Sequence, residues 1–549
     1  MQNFNLKEIL KNQVIMKNKF LYALVLISLA SCKKSFTERS ALDQPTVATY
    51  YNTAAQVSGA TGELYGLPWF DFQDKAFACI GEVMGGNSYT GDGAYAPFMN
   101  FSVSSTDPRL SEAWNAFYRI MGSANVLINE FEAKKVLGGS AAILDPGIAE
   151  ARFIRGVAVF YIARIWGDAP IVTDPGKLAV SGEFQIPRYI QSDLLRFAIE
   201  DMQYAEANLP ESGNKGRVTK FSAKGMLSKI YLYKKDYANA KLKAGEVIAS
   251  NKYQLFSDYY GMFSASVNNN NSESLFALQW VNSSQWGTQN SLQAYTAPGN
   301  LLVTSDGWSS TIPSLDLLAA YAPGDKRRKW SVMEHGNIYP SWKPVRPATS
   351  PNDIDYNDFM KNGYIYDTGS TARTIGNPLL NVRNSSRANF SKYVVGPGSA
   401  TEPVEKQKTQ INTYLLRYAD ILLIYAEATL GTNASTTDAA ALAAFNKVHN
   451  ERAGLPVATS LTADDIFKER RVEFAFEGDY WFDIQRQGYT KAQQIIAAQE
   501  RGQIDYTRPG GINSYHAVLS LPYKQLYLPI PLSEISQNPK LNQPAIPYY

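Results

Sequence analysis

Apolar residues recur every three to four positions in several long stretches of the amino-terminal half of the chain. In residues 111–133 and 148–170 this spacing gathers Trp, Phe, Ile and Val side chains on one side, which predicts two amphipathic helices. The second pattern stops at Gly167, with Pro170 soon after, as is usual where a helix ends. A further pattern of the same kind ends at Pro210. This half of the chain is therefore predicted to be helical.

Residues 219–250, TKFSAKGMLSKIYLYKKDYANAKLKAGEVIAS, carry two such patterns in succession, separated at residues 234–236. Two helices of about fifteen residues, joined by a tight turn and with small residues at their contact, resemble a tetratricopeptide repeat. A single helix pair of this kind cannot bury its own apolar face, so neighbouring helices should stack against it.

The regular spacing is lost between residues 257 and 410. Asn, Ser, Gly, Pro and Trp dominate there, as in NNNNS and VTSDGWSSTIPS, a composition typical of loops with short elements. Long loops inside a compact domain are usually functional or disordered. Their high content of aromatic rings argues against disorder.

Helical patterns return at residues 413–430, 438–455 and 462–478. The last begins with Thr462 and Asp465, which are three residues apart and predict a capping box. The sequence thus predicts helix-rich ends around an irregular middle.

The composition rules out some classes of function but points to none in particular. The 549 residues are 45% hydrophobic, 12% aromatic and 19% charged, as in ordinary globular proteins. Residues 1–31 hold four of the 53 basic residues and one of the 50 acidic residues, which leaves 49 of each in the remainder. A chain without net positive charge and without long basic runs is not expected to bind nucleic acid.

The chain has two cysteines and three histidines, all far apart in sequence: Cys32, Cys79, His335, His449 and His516. With only two cysteines, a disulfide framework and a cysteine-rich metal site are both excluded. We also find no metal-ligating, phosphate-binding or nucleophile motif at the spacing that its chemistry requires, so neither a metal nor a cofactor is expected.

The amino terminus has the features of a bacterial lipoprotein leader. Lys17 and Lys19 precede an apolar run over residues 20–30, which is long enough for a signal peptide and too short to span a bilayer. Residues 29–32, Leu-Ala-Ser-Cys, resemble the lipobox, in which cleavage before Cys32 leaves that cysteine acylated. Residues 1–31 are then a signal peptide, with Met16 as the start of translation, because residues 1–15 fit no part of such a leader. The alternative is an ordinary secretory signal in which the cysteine has no role.

Among all stretches of the chain, residues 469–486, ERRVEFAFEGDYWFDIQR, most resemble an enzyme active site. Glu469, Glu473 and Glu477 are spaced four apart beside aromatic rings, and a glycoside hydrolase needs two carboxyl groups next to its sugar. On one helix, however, those carboxylates would share a face rather than line the two sides of a cleft. Apolar residues around Glu473 favour a partly buried ion-pair network that locks helices together. The arginines expected to take part are Arg417, Arg452, Arg470 and Arg486.

Taken together, these motifs resemble the SusD/RagB family of outer-membrane nutrient-binding lipoproteins. The stretches that carry the resemblance are the Cys32 lipobox and residues 113–128, 149–172, 200–210, 414–428, 445–455, 469–488 and 527–543. The resemblance implies a mainly α fold: a tetratricopeptide-like α–α superhelical scaffold with an irregular, loop-rich region packed on it. The single body, residues 32–549, is expected to be helical over 45–256, loop-rich over 257–410, helical over 411–488 and irregular over 489–549.

The resemblance also implies a function. Members catalyse no reaction; they bind oligosaccharides, or in some cases peptides, and deliver them to a SusC-like TonB-dependent transporter in the outer membrane. A lipid-anchored protein facing the cell exterior is therefore expected, although Lys33 and Lys34 stand where some surface-exposed relatives carry acidic residues. An oligopeptide-binding member of the same family is the nearer alternative, and a glycoside hydrolase is the more distant one.

The candidate ligand-binding residues lie in two loop regions that combine aromatic rings with polar side chains. Sugars present C–H faces to rings and hydroxyl groups to amides and carboxylates. Function also tends to be concentrated in loops. The candidates are Asn87, Tyr89, Asp92 and Tyr95 in residues 85–95, and Trp286 and Trp308 in the irregular middle.

Overall fold

The computed structural model describes residues 46–298, 301, 307–342, 363–366, 388–399, 402–505, 507–519 and 526–549. The expected signal peptide and Cys32 lie outside these residues. The helices are α1 Ala54–Gly62, α2 Ala96–Met99, α3 Pro108–Val136, α4 Ala141–Ile165, α5 Pro175–Ser181, α6 Gln191–Asn208, α7 Lys220–Tyr233, α8 Tyr237–Ala249, α9 Gly261–Ser264, α10 Leu292–Thr296, α11 Leu315–Ala320, α12 Arg328–Ser331, α13 Tyr418–Leu430, α14 Ala439–Asn446, α15 Ala463–Glu473, α16 Tyr480–Gln485, α17 Tyr489–Ala498 and α18 Leu532–Gln537.

The strands are short, and each pairs with one other strand in an antiparallel manner. They are β1 Ser88–Tyr89, β2 Ser274–Leu278, β3 Ile312–Pro313, β4 Val332–Met333, β5 Ile338–Tyr339, β6 Tyr364–Ile365, β7 Asn389–Phe390, β8 Thr413–Arg417, β9 Gln503–Ile504 and β10 Ile512–Asn513. The pairs are β1–β3, β2–β8, β4–β7, β5–β6 and β9–β10. The fold is thus mainly α, as the sequence predicts.

The long helices stack in nearly the order of the sequence. Helix α4 lies between α3 and α6, α6 packs on α7, and α8 packs on α7 and α13. Helix α4 contacts neighbours on all sides, because every residue from Ala149 to Ile165, apart from the half-buried Arg152, is buried. Stacked helix pairs of this kind bury a continuous apolar core that no single pair could form.

The helix pair over residues 219–250 is confirmed. Helix α7 begins at a capping box formed by Thr219 and Ser222, and the side chain of Asp236 caps α8. Lys235, between the two helices, adopts a left-handed conformation with φ 61°. Ala240 and Ala244 are completely buried, which allows α8 to approach its neighbours closely.

Two of the predicted helices, 413–430 and 462–478, have the wrong boundary at one end. Residues 413–417 form β8 rather than the start of a helix, because they pair with β2 and all five side chains are buried. The capping box at Thr462 and Asp465 is present, but α15 ends at Glu473 rather than at residue 478. The chain turns there through Phe476, which has a φ of 63°.

The irregular middle packs on the helices and also has a small core of its own. Most of its buried side chains join the main core. A separate cluster contains Ala297, Leu301, Met333, Tyr339, Trp342, Tyr364, Tyr366 and Val394. No helix within the described ranges combines the length and apolarity needed to cross a membrane.

Replacing Gly81 by alanine is expected to destabilise the fold by about 1–3 kcal/mol, because overpacking forces the surroundings to move. Gly81 lies in a π-helical turn, Cys79–Val83, and a Cβ atom there would collide with the backbone of Gly478. Urea denaturation of Gly81→Ala measures the loss.

Gly59→Ala is the matched control for this substitution. Gly59 lies within α1 and a Cβ atom there would meet nothing within 4 Å. It should leave stability unchanged or raise it by about 0.4–1 kcal/mol. Equal stabilities for the two variants would contradict the close contact at Gly81.

Candidate functional site

Two of the nine tryptophans have large exposed surfaces: Trp286 is 53% exposed and Trp308 is 42% exposed. All nine lie within the described residues, and the other seven are buried or partly buried. A large exposed ring in a loop is a candidate for ligand contact, because binding residues concentrate in loops and rings offer flat apolar faces. Each of the two rests on a buried ring, and those supports define the candidate site.

Trp286 is supported by Phe70. The two rings meet edge to face, with their centroids 5.5 Å apart. The Trp286 loop is closed by a hydrogen bond from the Val281 N–H to the Thr288 carbonyl oxygen, at 2.8 Å. Lys408 Nζ donates to the Ser283 carbonyl oxygen at 2.7 Å. The ring is therefore held in place on one side and open to solvent on the other.

Trp308 is supported by Tyr295, whose ring centroid lies 5.2 Å away in an edge-to-face arrangement. Its backbone N–H donates to the Ala294 carbonyl oxygen at 2.8 Å, which fixes the Trp308 segment on α10. Tyr295 itself is only 6% exposed. Trp308 is thus exposed to solvent, and the Tyr295 ring beneath it is held in place by its buried surroundings.

A short helical segment connects the two supports. Phe70 and Asp74 lie one turn apart, and residues 72–76 form a π-helical turn, a feature frequent at functional sites. The Tyr295 hydroxyl lies 3.3 Å from each carboxylate oxygen of Asp74 and 3.2 Å from Gln407 Oε1. One segment therefore positions the supports of both exposed tryptophans.

The polar groups below Tyr295 are poorly hydrated. Burial raises the pKa of Asp74, and Lys75, whose Nζ lies 4.0 Å from Asp74 Oδ2, opposes this only in part. Lys75 Nζ is also 5.5 Å from the centroid of the Tyr295 ring. Burial, followed by the Asp74 charge, raises the pKa of Tyr295, so its hydroxyl stays protonated. Chemically, the site offers flat apolar faces with neutral and charged hydrogen-bonding groups beside them.

The segment around residues 87–95 lies next to Trp308. Strand β1 pairs Tyr89 with Ile312, and Thr90 Oγ1 donates to the Ser310 carbonyl oxygen at 2.7 Å. Tyr89 is partly buried, and its hydroxyl lies 3.2 Å from Asn513 Nδ2. Asp92 is also partly buried and accepts a hydrogen bond from the Ala94 N–H at 2.9 Å. Strand β1 therefore holds Tyr89 beside the segment that carries Trp308, and Asp92 follows it on the same loop.

Two of the sequence candidates are buried instead. Asn87 is 0% exposed; its Nδ2 donates to Glu82 and its Oδ1 accepts from Arg471 Nε, both at 2.9 Å. Tyr95 is 1% exposed, and its ring centroid lies 6.4 Å from that of Tyr295. Both residues support the site from behind, and neither offers surface to a ligand.

Sequence reasoning missed Asp74, Tyr295 and Gln407. Asp74 is 221 positions from Tyr295 in sequence, and Gln407 is 112 positions from it. Of the three, only Tyr295 could have been singled out from the sequence, because it lies between Trp286 and Trp308 in the same aromatic-rich stretch.

Comparison with known proteins identifies the chain. Residues 245–549, more than half of it, match the model of the SusD family. The chain belongs to the SusD family. Residues 42–232 match a SusD-like model described as starch-binding and associating with the outer membrane.

Relatives of this SusD-family protein cover nearly its whole length. A SusD-like protein of Bacteroides ovatus is 31% identical over 98% of this chain and 99% of its own. SusD-like protein P2 of Formosa agariphila is 24% identical over 86% of this chain and 90% of its own. A crystal structure described as a complex with xylogluco-oligosaccharide superposes with a TM-score of 0.76 at 30% identity, covering 90% of this chain and 99% of that one.

In this SusD-family protein the carboxylates of residues 469–486 are interior. Glu473 is 0% exposed and lies within 2.5–2.9 Å of three arginines, Arg417, Arg452 and Arg327. Burial alone would raise the pKa of Glu473, but these arginines outweigh it and hold that pKa well below its ordinary value. A carboxylate so enclosed has no access to a substrate.

The predicted ion-pair network is confirmed, with one rearrangement and with further members from the irregular middle, among them Glu273, which pairs with Arg417 at 2.7 Å. Arg327 and Lys392, both from the irregular middle, bind Glu469 at 2.6 Å and Glu477 at 2.8 Å. Arg470 and Arg486 form a second cluster, which contains Asp420, Glu427 and Asp483. In the described part of the chain, no three His, Cys, Asp or Glu side chains are grouped so as to hold a metal ion.

Proposed function

We propose that this protein captures oligosaccharides at the cell surface and passes them to a SusC-like TonB-dependent transporter in the outer membrane. The observation that carries the proposal is the pair of exposed tryptophans, Trp286 and Trp308, each fixed on a buried ring. Flat, rigid rings match the C–H faces of sugars, and the polar groups beside them match hydroxyl groups.

The relatives support this choice over a peptide ligand. A solved structure at 30% identity, a level that supports more than the fold, is described as bound to xylogluco-oligosaccharide. A neutral glycan also agrees with the absence of net charge in the chain after residue 31. We therefore propose a glycan with a backbone of flat, stackable sugar rings as the ligand, in contact with Trp286, Trp308, Tyr89 and Asp92.

Isothermal titration calorimetry with xylogluco-oligosaccharides, laminari-oligosaccharides and a peptide mixture tests the proposal. Saturable binding of at least one glycan, without release of reducing sugar during incubation, is the expected result. Binding of peptides alone would replace the glycan by the oligopeptide alternative. Release of reducing sugar would favour the hydrolase.

The anchor part of the proposal rests on Cys32. We expect Cys32→Ser to move the protein from the membrane fraction to the soluble fraction, because acyl chains hold a protein at a bilayer at about 0.8 kcal/mol per buried methylene. Mass spectrometry of the wild-type amino-terminal peptide should show an acylated Cys32. Cys79→Ser is the control, since Cys79 is buried and should not affect the location. An unmodified peptide that begins upstream of Cys32 would contradict the anchor.

A further inference from the structure

The connection between the two longest described helices is uncharged and exposed. Residues 136–142, VLGGSAA, join α3 to α4 and form the hairpin tip. Val136 is 87% exposed and Leu137 is 63% exposed. Adjacent exposed aliphatic side chains form a contiguous apolar patch, and such patches can mark an interaction surface.

The chain enters the fold beside this hairpin tip. Lys134 Nζ donates to the Ala48 carbonyl oxygen at 2.8 Å, although Lys134 is itself largely buried. Tyr51 packs edge to face on Phe131, with a centroid distance of 4.9 Å. The start of the described chain, at Ala48 and Tyr51, is therefore held against the last turns of α3.

The length of the preceding segment limits how far the hairpin tip can lie from an anchor at Cys32. Residues 33–45 span at most about 45 Å when fully extended, and a flexible chain of that length has a root-mean-square span of about 20 Å. A surface held this close to a bilayer meets it at a high effective concentration, so a weak apolar contact is sufficient.

The charges beside the hairpin tip favour an apolar contact over an electrostatic one. Lys135, the partly buried cation next to Val136 in α3, is paired with Asp145 at 2.8 Å and with Glu132 at 3.3 Å. Its charge is therefore balanced within the protein and is not free for anionic headgroups. This leaves Val136 and Leu137 as the groups that a lipid surface would bury.

We propose that the hairpin tip, residues 136–142, rests in the interfacial region of the lipid bilayer next to the anchor and so orients the protein on the membrane. The proposal rests on the membrane anchor at Cys32 given under the proposed function. Val136 and Leu137 supply the contact, and the α3–α4 hairpin transmits the orientation to the helical scaffold.

Lipid quenching of a dye at the hairpin tip tests this orientation. Ser140→Cys places a single reactive thiol there, because Ser140 makes no side-chain capping bond and Cys79 is buried. The mature chain, residues 32–549, carries Cys32→Ser and an amino-terminal histidine tag. It is bound to phosphatidylcholine vesicles that contain nickel-chelating and doxyl-labelled lipids. Ser460→Cys is the control, since Ser460 is exposed near α14 and α15, which do not pack on α3 or α4.

The expected result is a blue-shifted emission at residue 140, with at least about twofold stronger doxyl quenching than at residue 460. The double substitution Val136→Glu and Leu137→Glu should remove this difference, whereas Val457→Glu, at a residue that is 62% exposed, should not. Equal quenching at residues 140 and 460 would overturn the proposal. So would quenching that survives the double substitution, or that appears only at high protein density, which would indicate a second copy of the chain.

The histidine tag makes this test independent of acylation. Failure of Cys32 to be acylated in cells would overturn the anchor, while the vesicle experiment would still report whether the hairpin tip contacts lipid. The vesicles contain no transporter, so a positive result cannot come from that partner.

Discussion

Replacing both Trp286 and Trp308 by alanine is expected to weaken binding of the cognate oligosaccharide by about a hundredfold, since truncation of a central ring in a binding site commonly costs about 1–2 kcal/mol and each 1.4 kcal/mol is about tenfold. Each ring is open to solvent on one side, so the loss should come from the ligand contact. Isothermal titration calorimetry of the single and double variants measures it.

The melting temperature distinguishes a lost contact from a lost fold. It should change little, because Phe70 and Tyr295, which support the two rings, remain in place. Phe184→Ala is the matched control: Phe184 is 64% exposed but lies on the loop after α5, away from the site residues in sequence. Unchanged affinity in the double variant, or an equal loss in Phe184→Ala, would remove the two tryptophans from the binding surface.

Glu473→Gln is expected to destabilise the protein by about 3–5 kcal/mol, because removing one partner of a buried ion pair leaves the others uncompensated. Glu473 binds Arg327, Arg417 and Arg452, so the neutral amide leaves three buried guanidinium groups without that charged partner. Urea denaturation at neutral pH measures the change.

Glu451→Gln is the control for the loss of one carboxylate. Glu451 is exposed and lies 3.9 Å from Lys447, a surface pair worth about 0–1 kcal/mol. Equal effects of the two substitutions would show that the buried network does not carry stability. Loss of a hydrolytic activity in Glu473→Gln without loss of stability would restore the enzymatic alternative.

The same network is expected to make the free energy of unfolding depend on pH under acid conditions. The pKa of Glu473 is depressed in the folded protein by the neighbouring arginines, so the stability it confers is complete above its ordinary value of 4.5 and is lost as the pH falls through the folded pKa. Urea midpoints measured below pH 4.5 should therefore fall with pH in the wild type, and less steeply in Glu473→Gln. Parallel pH profiles would contradict this assignment.

The helical part of the fold was predictable because its information is local. The apolar spacing in residues 219–250 and the capping residues Thr462 and Asp465 determine structure within a few positions of themselves. Strand β8 was not predictable in this way. Its residues continue an apolar helix-like pattern, and only pairing with β2, more than 130 positions earlier, makes them extended.

The candidate site was only partly predictable for the same reason. The tryptophans stand out as aromatic rings in polar loops, and both are exposed. Asn87 has the same polar setting in sequence, but Arg471, 384 positions away, captures its side chain in the interior. Tyr295 and Asp74 meet only in the folded chain, so their contact leaves no local pattern.

Glu273, Arg327 and Lys392 are points at which the buried ion-pair network reaches from the helical scaffold into the irregular middle. The ring-bearing stretches around Trp286 and Trp308 make no ion pair with that network among the described residues. Sequence changes in those stretches can therefore accumulate without weakening the attachment of the irregular middle to the scaffold. The proposed ligand surface can thus change over evolutionary time on an unchanged scaffold, and the loops between Glu273 and Arg327 are the natural place to exchange it in an engineered protein.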